Sequence, residues 1–202
     1  MLGSMNSRAR IDKRALILAK GADVMTRRGY HGTGVLEIVQ AAGIPKGSFY
    51  HYFASKEDFA LQALDHLYIP RLERYRLALQ DPARAPRDRI LAYYGDLVAH
   101  FSRQASPEYH CFIGSLSFEM AELSQPIGQR VDAILQASVA VLADCLEQAR
   151  KDGIIDTTVD CLALAEFIGN AWEGALMRMK VGRSSAPLAI FLTQLERLLM
   201  RP

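Results

Sequence analysis

Residues 29–59 read GYHGTGVLEIVQAAGIPKGSFYHYFASKEDF, and they contain the most informative pattern in the chain. The apolar spacing predicts one helix over 35–42 and a second, shorter helix over 46–52. Gly43 ends the first helix, and Pro45 suits the first turn of the second. Two helices joined by such a tight turn form a helix-turn-helix, in which the second helix enters the major groove of DNA.

Helical periodicity continues on both sides of this segment. Apolar residues recur at three- and four-residue steps over 8–28, with Gly29 as the stop, and Thr33 is the expected cap of the next helix. Ser55 opens a long helix that Pro70 should kink or divide. Further helices are expected at 71–80, 87–104, 111–122, 125–152, 158–182 and 186–200. No segment has a convincing strand pattern, so the predicted fold class is all-α.

The composition limits the classes of protein that fit. With 202 residues, the chain is long enough for one or two domains, and its 50% hydrophobic and 23% charged residues are those of an ordinary globular protein. The longest stretch without a charge, 184–195, is too short for the ~20 apolar residues of a membrane helix. The start of the sequence lacks a signal-peptide pattern. We therefore expect a cytoplasmic protein with no membrane partner.

Three cysteines, Cys111, Cys145 and Cys161, lie far apart in the sequence. Their odd number and the absence of Cys-x-x-Cys or Cys/His spacing predict a reducing compartment, with neither disulfides nor a metal site. Cys145 and Cys161 lie in apolar helical stretches and are expected to be inert core. The sequence also has no nucleophile elbow and no phosphate loop, so we predict no catalytic residue and no cofactor.

The net charge of +2 conceals an asymmetry along the chain. Residues 1–56 contain nine Lys and Arg residues but three acidic ones, whereas residues 57–202 contain fifteen basic and nineteen acidic residues. A basic N-terminal region on an acidic body favours contact with nucleic acid. On charge alone, a solvated helix face is an equally good explanation.

The second helix of the pair begins with small and polar residues. Gly47 lets the backbone come close to DNA, Lys46 can neutralise a phosphate, and Ser48 can bond a base edge or a phosphate. Tyr50 and His51 offer a hydroxyl and an imidazole to phosphates. Each residue taken alone also fits ordinary packing, so the inference depends on the whole segment.

The whole segment resembles the DNA-binding domain of the tetracycline-repressor (TetR/AcrR) family of bacterial transcription factors, over about residues 10–65. The resemblance is carried by Gly29, Tyr30, Thr33, Ile38, Ala41-Ala42-Gly43, Lys46-Gly47-Ser48-Phe49-Tyr50, Tyr52-Phe53 and Lys56-Glu57. It implies DNA contacts at Thr33, Lys46, Ser48, Tyr50, His51 and Lys56. Gly34 stands where a larger side chain is common in the family, and His51 is variable there, so the operator sequence does not carry over.

The resemblance also implies a domain organisation. Residues 1–56 would form a three-helix DNA-binding domain, and residues 57–202 a larger helical domain for ligand binding and dimerisation. In the family the last two helices pack with those of a second copy, and 158–182 and 186–200 are apolar enough for this, although burial within one chain is the alternative. A homodimer would read two half-sites of a palindromic operator, ~34–36 Å apart or a multiple of that distance.

Cys111 stands at the expected start of a helix, where the helix dipole and the neighbouring His110 would favour a reactive thiolate. The segment 109–120, together with 172–175, resembles a branch of the family that senses reactive electrophiles, oxidants or acrylate-like acids. The alternative is a cysteine that only packs, because free cysteine is among the most buried residue types.

A ligand cavity is predicted from aromatic and polar residues on several helices, each of which also fits ordinary core packing. These residues are Tyr93, Phe101, Tyr109, Cys111, Phe118, Trp172 and Met177. The predicted function is a DNA-binding transcriptional regulator, a repressor that a small molecule or reactive electrophile releases from its operator. Two alternatives stay open: a DNA-binding regulator without small-molecule input, and a cysteine-dependent enzyme.

Overall fold

A computed structural model of the chain is all-helical, which confirms the predicted fold class. It describes residues 3–103 and 111–200, with side chains from residue 13 onward. Within these ranges there are nine α-helices and no strand. The helices are α1 (Gly3–Arg28), α2 (Val35–Ala41), α3 (Phe49–Tyr52), α4 (Lys56–Leu79), α5 (Pro86–Ser102), α6 (Phe112–Met120), α7 (Gln125–Lys151), α8 (Cys161–Gly182) and α9 (Ala186–Leu198). A 3₁₀ turn, Lys46–Ser48, leads directly into α3. None of the described helices is long and apolar enough to cross a membrane.

Pro70 lies inside α4, which continues through it to Leu79. The predicted division of the helix at this residue is therefore wrong. A proline in a helix interior costs about 3 kcal/mol, because it removes one backbone hydrogen bond and crowds the preceding turn. The helix is anchored on both sides of Pro70 by the buried side chains of Leu64 and Tyr75. Burial of each is worth about 1.5–3 kcal/mol, which offsets the local cost.

Gly34, and not Thr33, is the N-cap of α2. The backbone at Gly34 is extended, and its amide donates to the carboxylate of Glu37 in the first turn. The predicted cap at Thr33 is wrong because the Thr33 hydroxyl donates to the carbonyl oxygen of Gly29, at 2.7 Å. A carboxylate three residues into a helix can accept from the capping residue's own amide, so a glycine suffices at this position.

The chain divides into two compact units, Met1–Pro70 with His110–Ile134, and Arg71–Tyr109 with Leu135–Pro202. Helices α4 and α7 each contribute to both units, and α6 belongs to the first. These units follow packing and not function, so the division into functional domains at residue 56 stays a prediction.

Three phenylalanines form the centre of the core in the first unit. Phe49, Phe53 and Phe59 are fully or almost fully buried, with ring centroids between 5.1 and 5.9 Å apart. They join α3 to the start of α4, so Phe49 and Phe53 hold the second helix of the helix-turn-helix against the core. A four-residue helix has no stability of its own, so this packing holds α3 in place.

Helix α6 completes the same core. Its buried side chains are those of Phe112, Ile113, Leu116 and Met120. They belong to one apolar cluster with Ile17 of α1 and with the three phenylalanines. Helix α6 is therefore packed directly into the unit that carries the helix-turn-helix.

The second unit has its own core, which buries Cys145 and Cys161, as predicted. Arg89 is also buried there, and its guanidinium donates to the carbonyl oxygens of Leu79 at 3.3 Å and Arg84 at 2.9 Å. The last carbonyls of a helix lack partners within the helix, and its C-terminal end favours positive charge. Arg89 therefore caps the C-terminal end of α4.

Candidate functional site

Segment 46–52, the 3₁₀ turn with α3, has one buried and one exposed face. Phe49 lies on the buried face, Tyr52 and Ser48 are half-buried, and Tyr50 is 61% exposed. The other exposed residues of the segment are Lys46, Gly47 and His51. The structure thus presents Lys46, Gly47, Tyr50 and His51 together on one accessible surface, with Ser48 at its edge.

The turn that precedes this segment is stabilised by its own backbone. Gly43 has φ +66°, in the left-handed region that favours glycine. The amides of Gly43 and Ile44 donate to the carbonyl oxygens of Gln40 at 3.0 Å and Val39 at 2.9 Å. This is a glycine-terminated helix end, and it confirms the predicted tight turn between the two helices.

Gly47 has open space where a side chain would be. A Cβ atom built there meets no heavy atom within 4 Å, so internal packing does not require a glycine. The bare backbone leaves the leading end of segment 46–52 accessible to a molecule that approaches from outside.

Thr33 has a different role from the predicted one. It is 1% exposed, and its hydroxyl is already bonded to Gly29. The side chain is therefore not presented to a partner in this structure, which does not support the predicted DNA contact. The burial and the hydrogen bond show that Thr33 stabilises the turn.

The ammonium group of Lys56 is bonded to other parts of the same chain. Its Nζ atom donates to the carbonyl oxygens of Tyr30 at 3.0 Å and Thr33 at 3.2 Å, and lies 4.1 Å from the centroid of the Tyr30 ring. These contacts tie the first residue of α4 to the turn between α1 and α2. The charge that was expected to meet a phosphate is thus used largely for holding this turn.

Part of the positive charge near the helix-turn-helix is also paired. Arg27 bonds Asp23 at 3.0 Å, and Arg28 bonds Glu37 at 2.6 Å, all of them on exposed side chains. Lys46 is the cation that segment 46–52 itself presents to solvent. The count of basic residues therefore overstates the positive charge that is available to a partner. The exposed charge of Lys46 then matters more for any electrostatic contact with that partner.

Cys111 is the N-cap of α6 and is half-buried. Its Sγ atom accepts from the amide of Gly114 at 3.3 Å, and the Tyr68 hydroxyl lies 3.9 Å from the same sulfur. That hydroxyl also accepts from the amide of Ile113, at 2.9 Å. The sulfur and the Tyr68 oxygen together satisfy two of the free amides at the start of α6. His110, which was expected to assist the thiol, lies outside the described residues.

The residues predicted to line one cavity are divided between the two compact units. Cys111 and Phe118 belong to the first compact unit, Tyr93, Phe101, Trp172 and Met177 belong to the second, and Tyr109 lies outside the described residues. Phe118 is 86% exposed and Met177 52% exposed, so the described structure places neither in a cavity. Both project from the outer face of their helices, which residue type alone does not reveal.

Tyr93 and Trp172 belong to one aromatic group of the second unit. Tyr94 lies between them, with ring centroids 5.4 Å from Tyr93 and 5.2 Å from Trp172. The hydroxyls of Tyr75 and Tyr94 are 3.3 Å apart, and burial raises the pKa of both, so they stay neutral at physiological pH. Phe101 is half-buried against the same core. Tyr75 and Tyr94 were not among the predicted site residues. Tyr94 is adjacent to the predicted residue Tyr93, whereas no local pattern pointed to Tyr75.

Helices α8 and α9 share a groove of about 570 Å³ with mostly apolar lining. Phe167 and Ile190 line it and remain exposed. Leu162, Val181 and Leu198 on the same two helices are exposed as well. The apolar surplus noted in the sequence is thus not all buried within the single chain.

Glu119, near the C-terminal end of α6, was not among the predicted site residues. Its Oε2 atom accepts from the backbone amide of His31 at 2.9 Å, across 88 positions in the sequence. No local pattern could have revealed this contact, because it exists only once α6 packs against the helix-turn-helix.

The chain matches two protein-family models. One, described as bacterial regulatory proteins of the tetR family, matches residues 17–63, and the other, a tetracyclin repressor-like C-terminal domain, matches residues 86–195. The HTH-type transcriptional repressor NemR of Escherichia coli K12 is 32% identical over 198 residues, which cover 98% of this chain and 99% of that protein. The HTH-type transcriptional repressor DhaR of Mycobacterium sp. GP1 is 32% identical over 185 residues, 92% of this chain and 91% of that one.

The backbone is similar to that of the reduced form of E. coli NemR in its crystal structure. The TM-score is 0.85 and the identity 34%, over 95% of this chain and 100% of that one. The chain belongs to the tetR family of bacterial regulatory proteins. It is a DNA-binding transcriptional regulator with an N-terminal helix-turn-helix, which confirms the resemblance found in the sequence.

Replacement of Lys56 by alanine is expected to lower the free energy of unfolding by about 1.5–3 kcal/mol, because hydrogen bonds from a charged group and a cation–π contact are lost. Lys46→Ala removes the same charge from an exposed position and should change the value by less than about 0.5 kcal/mol. The free energy of unfolding of both variants is measured by urea denaturation followed by circular dichroism. Equal stabilities would show that Lys56 does not hold the turn.

Proposed function

We propose that the protein is a homodimeric repressor that binds a palindromic operator through segment 46–52 of each copy. Modification of Cys111 by an electrophile releases it from that operator. The observation that carries the proposal is the two-sided character of segment 46–52, whose Phe49 face is buried while Lys46, Tyr50 and His51 face solvent. A repressor acts where the chromosome is, so the proposal includes a cytoplasmic location.

The exposed face fits the major groove of a duplex. Lys46 neutralises a phosphate, Tyr50 and His51 donate to further phosphates, and Ser48 reaches a base edge or a phosphate. The open space at Gly47 allows the backbone to come close to the DNA. Membership of the tetR family supports the same assignment, with Thr33 removed and Lys56 retained mainly as a structural residue.

Dimerisation is supported by the exposed apolar face of α8 and α9. Monomeric proteins rarely leave contiguous apolar patches of several hundred square ångströms uncovered. A second copy would cover Phe167 and Ile190 with the same two helices, as a twofold axis requires. Two copies are also what DNA reading needs, since one short segment contacts few base pairs and a dimer contacts two half-sites.

Cys111 is the best-placed thiol for a sensor. It is half-buried, whereas Cys145 and Cys161 are buried, and burial raises the pKa of both of these thiols. The N-terminal end of a helix favours negative charge, and the thiolate is the nucleophilic form of cysteine. The relative NemR has a crystal structure of a reduced form, and a redox- or electrophile-sensitive thiol in this chain is in keeping with that.

The chemistry at Cys111 follows from its surroundings. After loss of its proton to solvent, the thiolate adds to the β-carbon of an unsaturated carbonyl compound. The π electrons of the carbon–carbon double bond move to the α-carbon, which takes up a proton from solvent. The new thioether caps α6 less well than the original sulfur, which accepts from Gly114, and loss of an N-cap costs about 0.5–2 kcal/mol.

The proposal includes a reversible small-molecule effector site in the second unit as a second route of control. Its candidate residues are Tyr93 and Trp172, which are half-buried at the edge of the aromatic group, because binding sites are mostly apolar with a few polar groups. The hydroxyls of Tyr75 and Tyr94 are buried and lie 3.3 Å from each other, so a ligand would have to replace that contact to bond either one.

Lys46→Ala is expected to reduce the salt dependence of DNA binding, because each lysine–phosphate contact contributes about −0.9 to the slope of log K against log salt. For a dimer the slope should become less steep by about 2. The probe is a duplex that the wild-type protein selects from a random pool, and fluorescence anisotropy measures affinity at several salt concentrations. Lys151→Ala, an exposed lysine of the second unit, is the matched control. An unchanged slope for Lys46→Ala would refute the phosphate contact.

Ile190→Asp and Phe167→Asp are expected to give monomers, since a buried charge at a twofold interface appears twice and has no partner. Light scattering coupled to gel filtration gives the molecular mass in solution. Both residues are exposed in the single chain, so the helical fold should be retained, with an unchanged circular dichroism spectrum. Gln129→Asp, on the exposed surface of α7, controls for added charge. Dimers in both variants would place the interface elsewhere.

Treatment with N-ethylmaleimide is expected to weaken DNA binding of the wild-type protein about 5–150-fold, the usual range of coupling between two sites. Cys111→Ser should bind the selected duplex with unchanged affinity and should not respond. Mass spectrometry of tryptic peptides should show alkylation at Cys111 before Cys145 and Cys161. Release of the serine variant by the reagent would mean that Cys111 is not the sensor.

A further inference from the structure

We propose that Glu119 is a positioning residue for DNA binding, which holds the turn between α1 and α2 and connects that turn mechanically to Cys111. The first half of the proposal depends on the DNA-binding surface alone. The second half rests on the proposed role of Cys111 as a sensor. The turn, residues 29–34, leads directly into the helix-turn-helix.

Glu119 lies against the start of this turn. Its Oε2 atom accepts from the amide of His31 at 2.9 Å. A Cβ atom built on Gly29 would collide with the same carboxylate, and Gly29 has φ +79°, a conformation that side-chain-bearing residues rarely adopt. Glycine therefore suits position 29 for two reasons. It adopts the backbone angle readily, and its missing side chain leaves room for the Glu119 carboxylate.

Lys56 holds the carbonyl groups of the same turn. Its ammonium group bonds the carbonyl oxygens of Tyr30 and Thr33, while the Glu119 carboxylate bonds the amide of His31. A cation holds the carbonyl groups and an anion holds an amide group of one short turn. Two charged side chains, one from α4 and one from α6, therefore help to fix the position of α2 relative to α1.

Helix α6 connects Glu119 to the cysteine. It has nine residues, which corresponds to a length of about 13 Å, with Cys111 as the N-cap and Glu119 in the last turn. Four buried side chains fix the helix in the core of the first unit. Tightly packed elements move as rigid bodies and do not deform continuously, so a shift at one end is transmitted to the other.

An adduct on Cys111 crowds contacts that the sulfur already makes. The sulfur accepts from the Gly114 amide at 3.3 Å, and the Tyr68 hydroxyl lies 3.9 Å from it. In the proposal, the start of α6 moves to admit the added group. That movement draws Glu119 away from His31, and the turn before α2 loses one of its two charged contacts.

The test compares Glu119→Ala, Glu119→Gln and Glu122→Ala, each with and without N-ethylmaleimide. Glu122 is an exposed acid three residues further along, so its removal is a matched control for charge. Affinity for the selected duplex is measured by anisotropy. The affinity of unmodified Glu119→Ala should fall about 5–50-fold, and its further loss on alkylation should be below about 2-fold. Glu122→Ala should behave as the wild type in both respects.

Glu119→Gln keeps an oxygen that can accept from His31 and guards against a folding defect. Its affinity should lie between those of the wild type and Glu119→Ala. Nuclear magnetic resonance of ¹⁵N-labelled protein provides a direct readout, because the His31 amide signal should shift in Glu119→Ala and in alkylated wild type, but not in Glu122→Ala. A purely structural role would not link the His31 signal to the state of Cys111.

The outcomes separate the two proposals. Wild-type affinity in Glu119→Ala overturns the positioning role. If alkylation weakens the DNA binding of Glu119→Ala by the same factor as that of the wild type, the connection to Cys111 is overturned, while the sensor role stands. If the wild type is alkylated but not released, the sensor role fails, and the affinity of unmodified Glu119→Ala still decides whether Glu119 positions the turn.

Discussion

Burial of Phe49 against Phe53 and Phe59 is the interaction on which the DNA-facing surface depends. Segment 46–52 consists of a 3₁₀ turn and a single helical turn, and neither would form alone in water. The aromatic core supplies the free energy that the short segment lacks. Because one face is fixed in this core, the opposite face is presented in a defined orientation.

Charged residues serve the interior of the first unit as much as its surface. Lys56 and Glu119 hold the turn at residues 29–34 from its carbonyl and amide sides, and Arg27 and Arg28 are paired with acids. The basic character of the N-terminal region therefore overstates what DNA would meet. The proposed phosphate contact of Lys46 then matters more for the electrostatic part of binding.

Cys111 and the helix-turn-helix belong to one packed unit. Helix α6 carries Cys111 at its start and Glu119 near its end, and its buried face belongs to the same core as the helix-turn-helix. Under the proposed sensor role, a chemical event at the thiol acts within that core and needs no separate relay. The second unit has a core of its own and leaves an apolar face on α8 and α9, which suits association.

Local chemistry in the amino-acid pattern was sufficient for most of the helices and for the Gly43 turn, since helix periodicity and turn preferences act over a few residues. The tertiary structure alone decided that Thr33 is buried, that α4 continues through Pro70 and that Phe118 faces solvent. It also decided the partners of Lys56, which are 26 and 23 positions away, and the partner of Glu119, which is 88 positions away. Such contacts depend on how packed helices bring distant segments together, and no local pattern encodes that arrangement.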